Sequence, residues 1–130
     1  MKPVLEEGDL VAAVKSKEFE TGDVVAFYYN NKILVKRVIA GPGDWVDIDK
    51  AGTVTVNGEV LDEPYVDNPD LGDTNITLPY QVPDERWFVM GDHRSVSVDS
   101  RNKAVGTVAK EQIVGKLVCK IWPLSQWGSL

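Results

Sequence analysis

Short apolar segments alternate with turn-forming residues along the whole chain. Residues 22–29 (GDVVAFYY) and 33–39 (ILVKRVI) have the β-branched and aromatic character of strands. Asn30-Asn31 between them is typical of a tight turn, so we predict that the two strands pair as a hairpin. The AGPGD segment that follows supplies glycines for unusual backbone angles and a proline with a fixed φ, which should end the second strand.

The other apolar segments extend this pattern over the rest of the chain. Alternating residues 45–61 predict a small β-meander, because Asn57-Gly58 is a strong two-residue hairpin signal. Residues 62–75 are acidic and rich in turn formers, so we predict an exposed loop with no chemistry of its own. Further strands are predicted at Leu10–Val14, 76–82, 86–90 and Ile113–Trp122, with one helical turn at 107–112. Because no apolar pattern of helical period extends over ten residues, the sequence predicts a mainly β protein.

One cation stands inside the second strand of the predicted hairpin. Successive side chains of a strand point to opposite faces, so Lys36 shares its face with Leu34 and Val38. Burial among such aliphatic neighbours favours the neutral form of an amine and can lower its pKa by several units. Lys36 is therefore a candidate general base. The alternative is a solvated lysine that prevents an edge strand from pairing with other chains.

A polar segment, GDHRSVSVDSRN at residues 91–102, directly follows the apolar residues WFVM. Loops carried by rigid strands often hold functional groups. A neutral lysine needs a hydrogen-bond partner that fixes its amine, and the hydroxyl of Ser97 is suitable. Two aspartates of the segment could pair with arginines and brace the loop against the lysine strand. The residues concerned are Asp92, Asp99, Arg37 and Arg101. The alternative is a polar turn with only local Asp–Arg pairs.

Composition excludes several classes of function. The 130 residues carry 20 acidic and 14 basic side chains, giving a net charge of −6, and no basic cluster suits a nucleic-acid backbone. The one histidine and one cysteine lack metal-binding spacing, and Cys119 lies in an apolar run as a core residue would. We therefore predict neither a metal site nor a cofactor. The longest apolar runs are shorter than the roughly twenty residues needed to cross a bilayer.

Four motifs, in this order, resemble those of the extracytoplasmic catalytic domain of bacterial type I signal peptidases, which are membrane-bound serine endopeptidases with a Ser-Lys dyad. They are MKPVLEEGD (1–9), GDVVAF (22–27), LVKRVIAGPGD (34–44) and GDHRSVSVDSR (91–101), and they span almost the whole chain. The resemblance implies one domain with a mainly β, signal-peptidase-like fold of coiled antiparallel sheets. Within it, residues 1–44 and 86–123 would form the catalytic core, 45–85 a variable β insert as compact as in Gram-positive members, and 124–130 a tail.

The resemblance also implies roles for individual residues. Lys36 corresponds to the general base of the family and Ser97 to the hydroxyl that orients it. Structural support would come from Arg37, Asp92, Asp99 and Arg101. His93 would have a positional role at most, since that family position accepts Asn or His. The substrate would be a signal peptide bound as an extended, added strand in contact with Met1, Leu5, Leu34 and Val35.

The chain departs from the family pattern at its start. The family motif reads Ser-Met-x-Pro-Thr-Leu, whereas this sequence begins MKPVL, so the nucleophilic serine would directly precede Met1 and Val4 replaces the usual threonine. We expect that truncation removed the membrane anchor and the serine together, which would leave residues 1–130 inactive. One alternative is a natural paralogue that binds signal peptides without cleaving them. Another is a self-cleaving repressor with a Ser-Lys dyad, which the segment 91–101 fits poorly.

The family resemblance places the catalytic domain on the extracytoplasmic face of the cell membrane. We expect the C-terminal WPLSQWGSL and the edge near Met1 to contact the bilayer surface, because indole groups favour that interface. The net charge of −6 argues against attraction to anionic lipid. The alternative is that Trp122 and Trp127 simply pack on the domain.

Overall fold

Strands account for nearly all of the regular structure in the computed structural model, which describes residues 10–14, 18–122 and 128–129. The strands are β1 (Leu10–Val14), β2 (Val24–Tyr29), β3 (Lys32–Ala40), β4 (Trp45–Ile48), β5 (Val54–Val56), β6 (Glu59–Val60), β7 (Tyr80–Gln81), β8 (Arg86–Met90), β9 (Val108–Ala109), β10 (Ile113–Trp122) and β11 (Gly128–Ser129). A single turn of 3₁₀ helix covers Lys110–Gln112. Within the described ranges no helix has the length and apolar character needed to span a membrane. The prediction of a mainly β fold is confirmed.

The larger sheet carries the lysine strand near its centre. Its strand order is β1-β10-β2-β3-β8-β9, with antiparallel neighbours, and β11 pairs with β10. Strands β2 and β3 form the predicted hairpin, in which Val25 lies opposite Lys36 and Phe27 opposite Leu34. Asn30 adopts φ 54° in the connecting turn, a conformation that asparagine tolerates better than most residues.

Strand β8 pairs with only the second half of β3. Arg37 opposite Met90 is the last pair in this direction, because β8 ends at Met90. Residues 32–36 of β3 therefore have β2 on one side and none of the described strands on the other. An open backbone edge thus runs beside Lys36.

The second sheet contains the predicted meander. Its order is β6-β5-β4-β7, and the β5–β6 turn has φ 52° at Asn57 and 83° at Gly58, as a type I′ turn requires. The predicted strand at residues 76–82 is wrong in extent, because only Tyr80–Gln81 pairs with β4. Pro79 lacks the backbone N–H that a longer ladder would need.

Two apolar clusters lie on opposite faces of β3. The cluster between the two sheets contains Ile39, Ala40, Val46, Ile48, Val54, Val82, Phe88 and Met90. The cluster on the outer face of the larger sheet contains Phe19, Val25, Phe27, Val38, Trp87, Val89 and Val108, with Leu34 packed against it. Lys36 lies between Leu34 and Val38 along β3 and therefore shares this outer face, as the alternation predicts.

The acidic segment 62–75 does more than the exposed loop predicted from its composition. Many of its side chains are exposed, but Arg101 Nη1 donates a 2.9 Å hydrogen bond to the Leu71 carbonyl. Thr74 Oγ1 donates in return to the Arg101 carbonyl at 2.7 Å. Gly72, at φ 65°, approaches so closely that a Cβ there would stand 2.7 Å from Arg101 Nη1. The segment therefore forms a wall against the polar loop that follows β8.

Candidate active site

Lys36 and Ser97 meet although 61 positions separate them in the sequence. Lys36 Nζ donates a 2.8 Å hydrogen bond to Ser97 Oγ. The serine returns to the lysine because the loop after β8 folds back along that strand. Val89 N donates to Ser100 Oγ at 2.9 Å, and Ser100 N donates to the Val89 carbonyl at 3.1 Å.

The surroundings of Lys36 favour its neutral form. Burial is the main cause that lowers the pKa of the Lys36 ammonium below its ordinary value. The carboxylate of Asp99 opposes this shift, the guanidinium of Arg101 adds to it, and Asp92 opposes it more weakly. A half-buried amine with a lowered pKa and a fixed hydrogen-bond partner is equipped to accept a proton.

Gly91 lies directly against the Lys36–Ser97 pair. A Cβ at Gly91 would stand 1.9 Å from Ser97 Oγ and 3.3 Å from Lys36 Nζ. Such a distance to Oγ is impossible for real atoms, so a side chain at Gly91 would displace the serine. Only the absence of a side chain at this position lets the lysine and the serine meet.

Two buried ion pairs brace the site. Arg37 donates to both oxygens of Asp92 at 3.0 and 2.9 Å, and Arg101 donates to both oxygens of Asp99 at 2.9 Å each. Both pairs have the bidentate geometry that makes arginine–carboxylate contacts strong. Arg101 also donates to the carbonyl of Ser97 at 3.2 Å. The structure thus brings together the six residues that the sequence singled out for the catalytic and supporting roles.

Sequence reasoning missed a third buried arginine. Arg94 donates to the Gly91 carbonyl at 2.8 Å and to both oxygens of Glu63, at 3.1 Å for Oε1 and at a shorter distance for Oε2. A signal for it exists in the sequence. The polar loop and the lysine strand together hold three arginines but only two aspartates to pair with them, Asp92 and Asp99, so one more carboxylate had to come from elsewhere.

The structure describes only some of the other residues for which the sequence predicted a role. Leu34 and Val35 are half-buried next to Lys36, at the open edge of β3. His93 is exposed. Met1, Leu5 and most of the C-terminal tail, including Trp127, lie outside the described residues.

Comparisons with known proteins identify the family of this chain. The family model described as "Signal peptidase, peptidase S26" matches residues 1–122. Signal peptidase IB of Staphylococcus aureus is 40% identical over an aligned length of 149 residues, which covers 98% of this chain and 75% of that protein. Thylakoidal processing peptidase 1 of Arabidopsis thaliana is 35% identical and covers 97% of this chain, which spans 40% of that longer protein.

A solved structure shows a similar fold. The crystal structure of a signal peptidase I from Enterococcus faecalis V583 superposes with a TM-score of 0.63 at 29% identity. The match covers 76% of this chain and 96% of that one. The predicted fold class, coiled antiparallel sheets of the signal-peptidase type, is thereby confirmed. By the extent of the family match and the identity of its relatives, the chain belongs to the signal peptidase family, peptidase S26.

Proposed function

We propose that this protein is a Ser-Lys endopeptidase that removes N-terminal signal peptides from secreted preproteins at the extracytoplasmic face of the cell membrane. Membership of the signal peptidase family supports the reaction. The observation that carries the assignment of Lys36 as general base is the 2.8 Å contact between Lys36 Nζ and Ser97 Oγ in a half-buried setting.

The chemistry is acyl transfer to a serine, which the family motif places directly before Met1. Neutral Lys36 takes the proton of the serine hydroxyl while the serine oxygen bonds to the scissile carbonyl carbon. The resulting ammonium gives this proton to the leaving amide nitrogen as the C–N bond breaks. Lys36 then takes a proton from a water molecule as the water oxygen bonds to the carbonyl carbon of the acyl-serine ester, and it returns this proton to the serine oxygen as the ester C–O bond breaks.

Ser97 contributes by fixing the amine of the base. A neutral lysine amine carries two N–H groups and one lone pair, and rotation about its last bond would point the lone pair in several directions. The hydrogen bond holds one N–H toward Ser97 Oγ and so keeps the lone pair from pointing there, which leaves the lone pair available to the nucleophile. Because Ser97 acts through Lys36, it is a positioning residue.

The substrate is an extended peptide that adds a strand to the open edge of residues 32–36. The backbone groups of this edge would hold the peptide, and the aliphatic side chains of Leu34 and Val35 would line shallow pockets for small side chains. Val96 and Val98, which are 68% and 55% exposed on either side of Ser97, supply an apolar rim. Small residues are therefore expected at the first and third positions before the cleaved bond.

A direct test adds one serine before Met1 and offers the chain a secreted preprotein in detergent. N-terminal sequencing of the product should show a single cut that follows small residues at those two positions. Residues 1–130 alone and a chain with alanine in place of the added serine should give no product, because neither supplies the hydroxyl there. Cleavage by the alanine version would place the nucleophile elsewhere, and a folded serine version without activity would contradict the proposal.

A second prediction concerns Gly91, which leaves room for Ser97 Oγ. Gly91→Ala in the serine-bearing chain should lower kcat by about 100-fold, since a displacement of about 1 Å can cost that much. Gly41→Ala is the matched control, because both glycines lack a positive φ and the nearest atom to a Cβ at Gly41 is 3.5 Å away, an ordinary contact. Equal activity of the two variants in a steady-state cleavage assay would show that Ser97 need not hold its present place.

A further inference from the structure

Glu63 reaches from the segment between the β-meander and β7 into the loop that carries Ser97. Its carboxylate accepts hydrogen bonds from both terminal nitrogens of Arg94, whose side chain is completely buried. The Glu63 side chain itself is only 11% exposed. Since a buried guanidinium without a carboxylate is costly, this pair fixes the position of Arg94.

Arg94 in turn fixes the peptide group of Gly91. Its Nε donates to the Gly91 carbonyl at 2.8 Å, while the Gly91 N–H donates to Asp99 Oδ2 at 2.9 Å. The glycine is thus held from both sides by buried charged groups. On its third side lie Ser97 Oγ and Lys36 Nζ, with no room for even a methyl group. A shift of the Gly91 carbonyl would therefore alter the contact between the lysine and the serine.

Tyr65 ties the same carboxylate to the lysine strand. Its hydroxyl donates to Glu63 Oε2 at 3.1 Å, and the guanidinium carbon of Arg37 lies 4.0 Å from the centroid of its ring. Arg37 directly follows Lys36 in β3. Glu63 is therefore connected to the lysine strand through Tyr65 and to the serine loop through Arg94.

We propose that Glu63 is a positioning residue for the Lys36–Ser97 pair and acts through Arg94 and the Gly91 carbonyl. The segment between β6 and β7 thereby takes part in setting the geometry of the catalytic centre. This inference rests on the proposed function for its effect on turnover. Its effect on the ionisation of Lys36 can be measured without any cleavage.

The test compares Glu63→Gln with Glu59→Gln in the serine-bearing chain. Glutamine keeps the shape of Glu63 but turns one acceptor into a donor that faces Arg94. Glu59 is an exposed residue of β6 and serves as the matched control. Glu63→Gln should lower kcat by about 10- to 100-fold, a range expected for a small displacement of reacting groups, with KM changed far less. Glu59→Gln should leave both constants unchanged.

The pKa of Lys36 gives a readout that a loss of stability alone would not move. The charged groups that act on this amine are Asp92, Asp99 and Arg101. If the Gly91 carbonyl shifts and water reaches Lys36, the pKa of Lys36 should rise, because burial is the main cause that lowers it. Loss of the negative charge of Glu63 would act in the opposite direction, since it favours the neutral amine. An upward shift therefore reports displacement, seen both in lysine-labelled NMR and in the acidic limb of the kcat/KM profile.

The outcomes separate this proposal from the proposed function. If the serine-bearing parent cleaves nothing, the function fails, while the NMR titration of Glu63→Gln still tests the positioning. A folded Glu63→Gln that matches Glu59→Gln in kcat and in the pKa of Lys36 overturns the positioning role. If Glu63→Gln does not fold, Tyr65→Phe decides by the same two measurements, since it removes only the hydroxyl bound to Glu63. Its kcat should fall by about two- to fivefold, as expected for one lost hydrogen bond.

Discussion

Lys36→Met in the serine-bearing chain should lower kcat by about 10⁶-fold, the loss seen when the base of a serine protease is removed. Methionine has an unbranched side chain of similar length and fills the same space between Leu34 and Val38. It needs no hydration, so the free energy of unfolding should not fall. Timed cleavage of a preprotein gives kcat, and denaturant unfolding checks the fold.

Lys36→Arg tests whether position 36 must act as a base or needs only a positive charge. Arginine keeps a cation and N–H donors near Ser97 but has no neutral form near neutral pH, so it should be as inactive as methionine. Appreciable activity in the arginine variant would mean that position 36 acts by electrostatic attraction. In the serine-bearing chain that keeps Lys36, only the neutral amine can accept a proton, so kcat/KM should rise with pH through the lowered pKa of Lys36.

Local patterns were sufficient for the elements that hold the lysine. The β2–β3 hairpin follows from two apolar strands around Asn30-Asn31, and the face of Lys36 follows from simple alternation. Both depend on residues close together in the sequence. The same holds for the β5–β6 turn at Asn57-Gly58, which has the positive φ values that this dipeptide favours.

Contacts between distant segments could be predicted only where chemistry demanded a partner. A desolvated lysine needs a fixed hydrogen-bond partner, and the family motif pointed to Ser97 for Lys36, 61 positions away. Nothing local marks Glu63 as the partner of Arg94, 31 positions away, because several carboxylates of the acidic segment were equally plausible by composition. The partner depends on where this segment packs against the polar loop, as at Gly72, where a Cβ would stand 2.8 Å from the Arg94 carbonyl oxygen. Such a long-range contact leaves no local signal in the sequence.

Asp99→Ala should destabilise the fold by about 3–5 kcal/mol, the range for removing one partner of a buried ion pair. Asp99 and Arg101 are each only 1% exposed, so bulk solvent would not hydrate the guanidinium that is left unpaired. The carboxylate also accepts hydrogen bonds from the backbone N–H groups of Gly91 and Arg101, at 2.9 and 3.1 Å, and the alanine variant would leave both N–H groups without this acceptor. Urea unfolding of the 130-residue chain measures the change directly, since a stability loss moves the midpoint.

The matched control for this variant is Asp73→Ala, which removes an exposed carboxylate of the neighbouring segment and should leave the midpoint unchanged. The double variant Asp99→Ala/Arg101→Met tests where the cost arises. Without the arginine no buried charge remains unpaired, so the double variant should be more stable than Asp99→Ala alone. The stability should be recovered only in part, because the carbonyls of Leu71, Arg94 and Ser97 lose the hydrogen bonds that the Arg101 guanidinium donates to them. If Asp99→Ala unfolds at the same urea concentration as Asp73→Ala, the pair does not stabilise the loop and the position of Ser97 must depend on its other contacts.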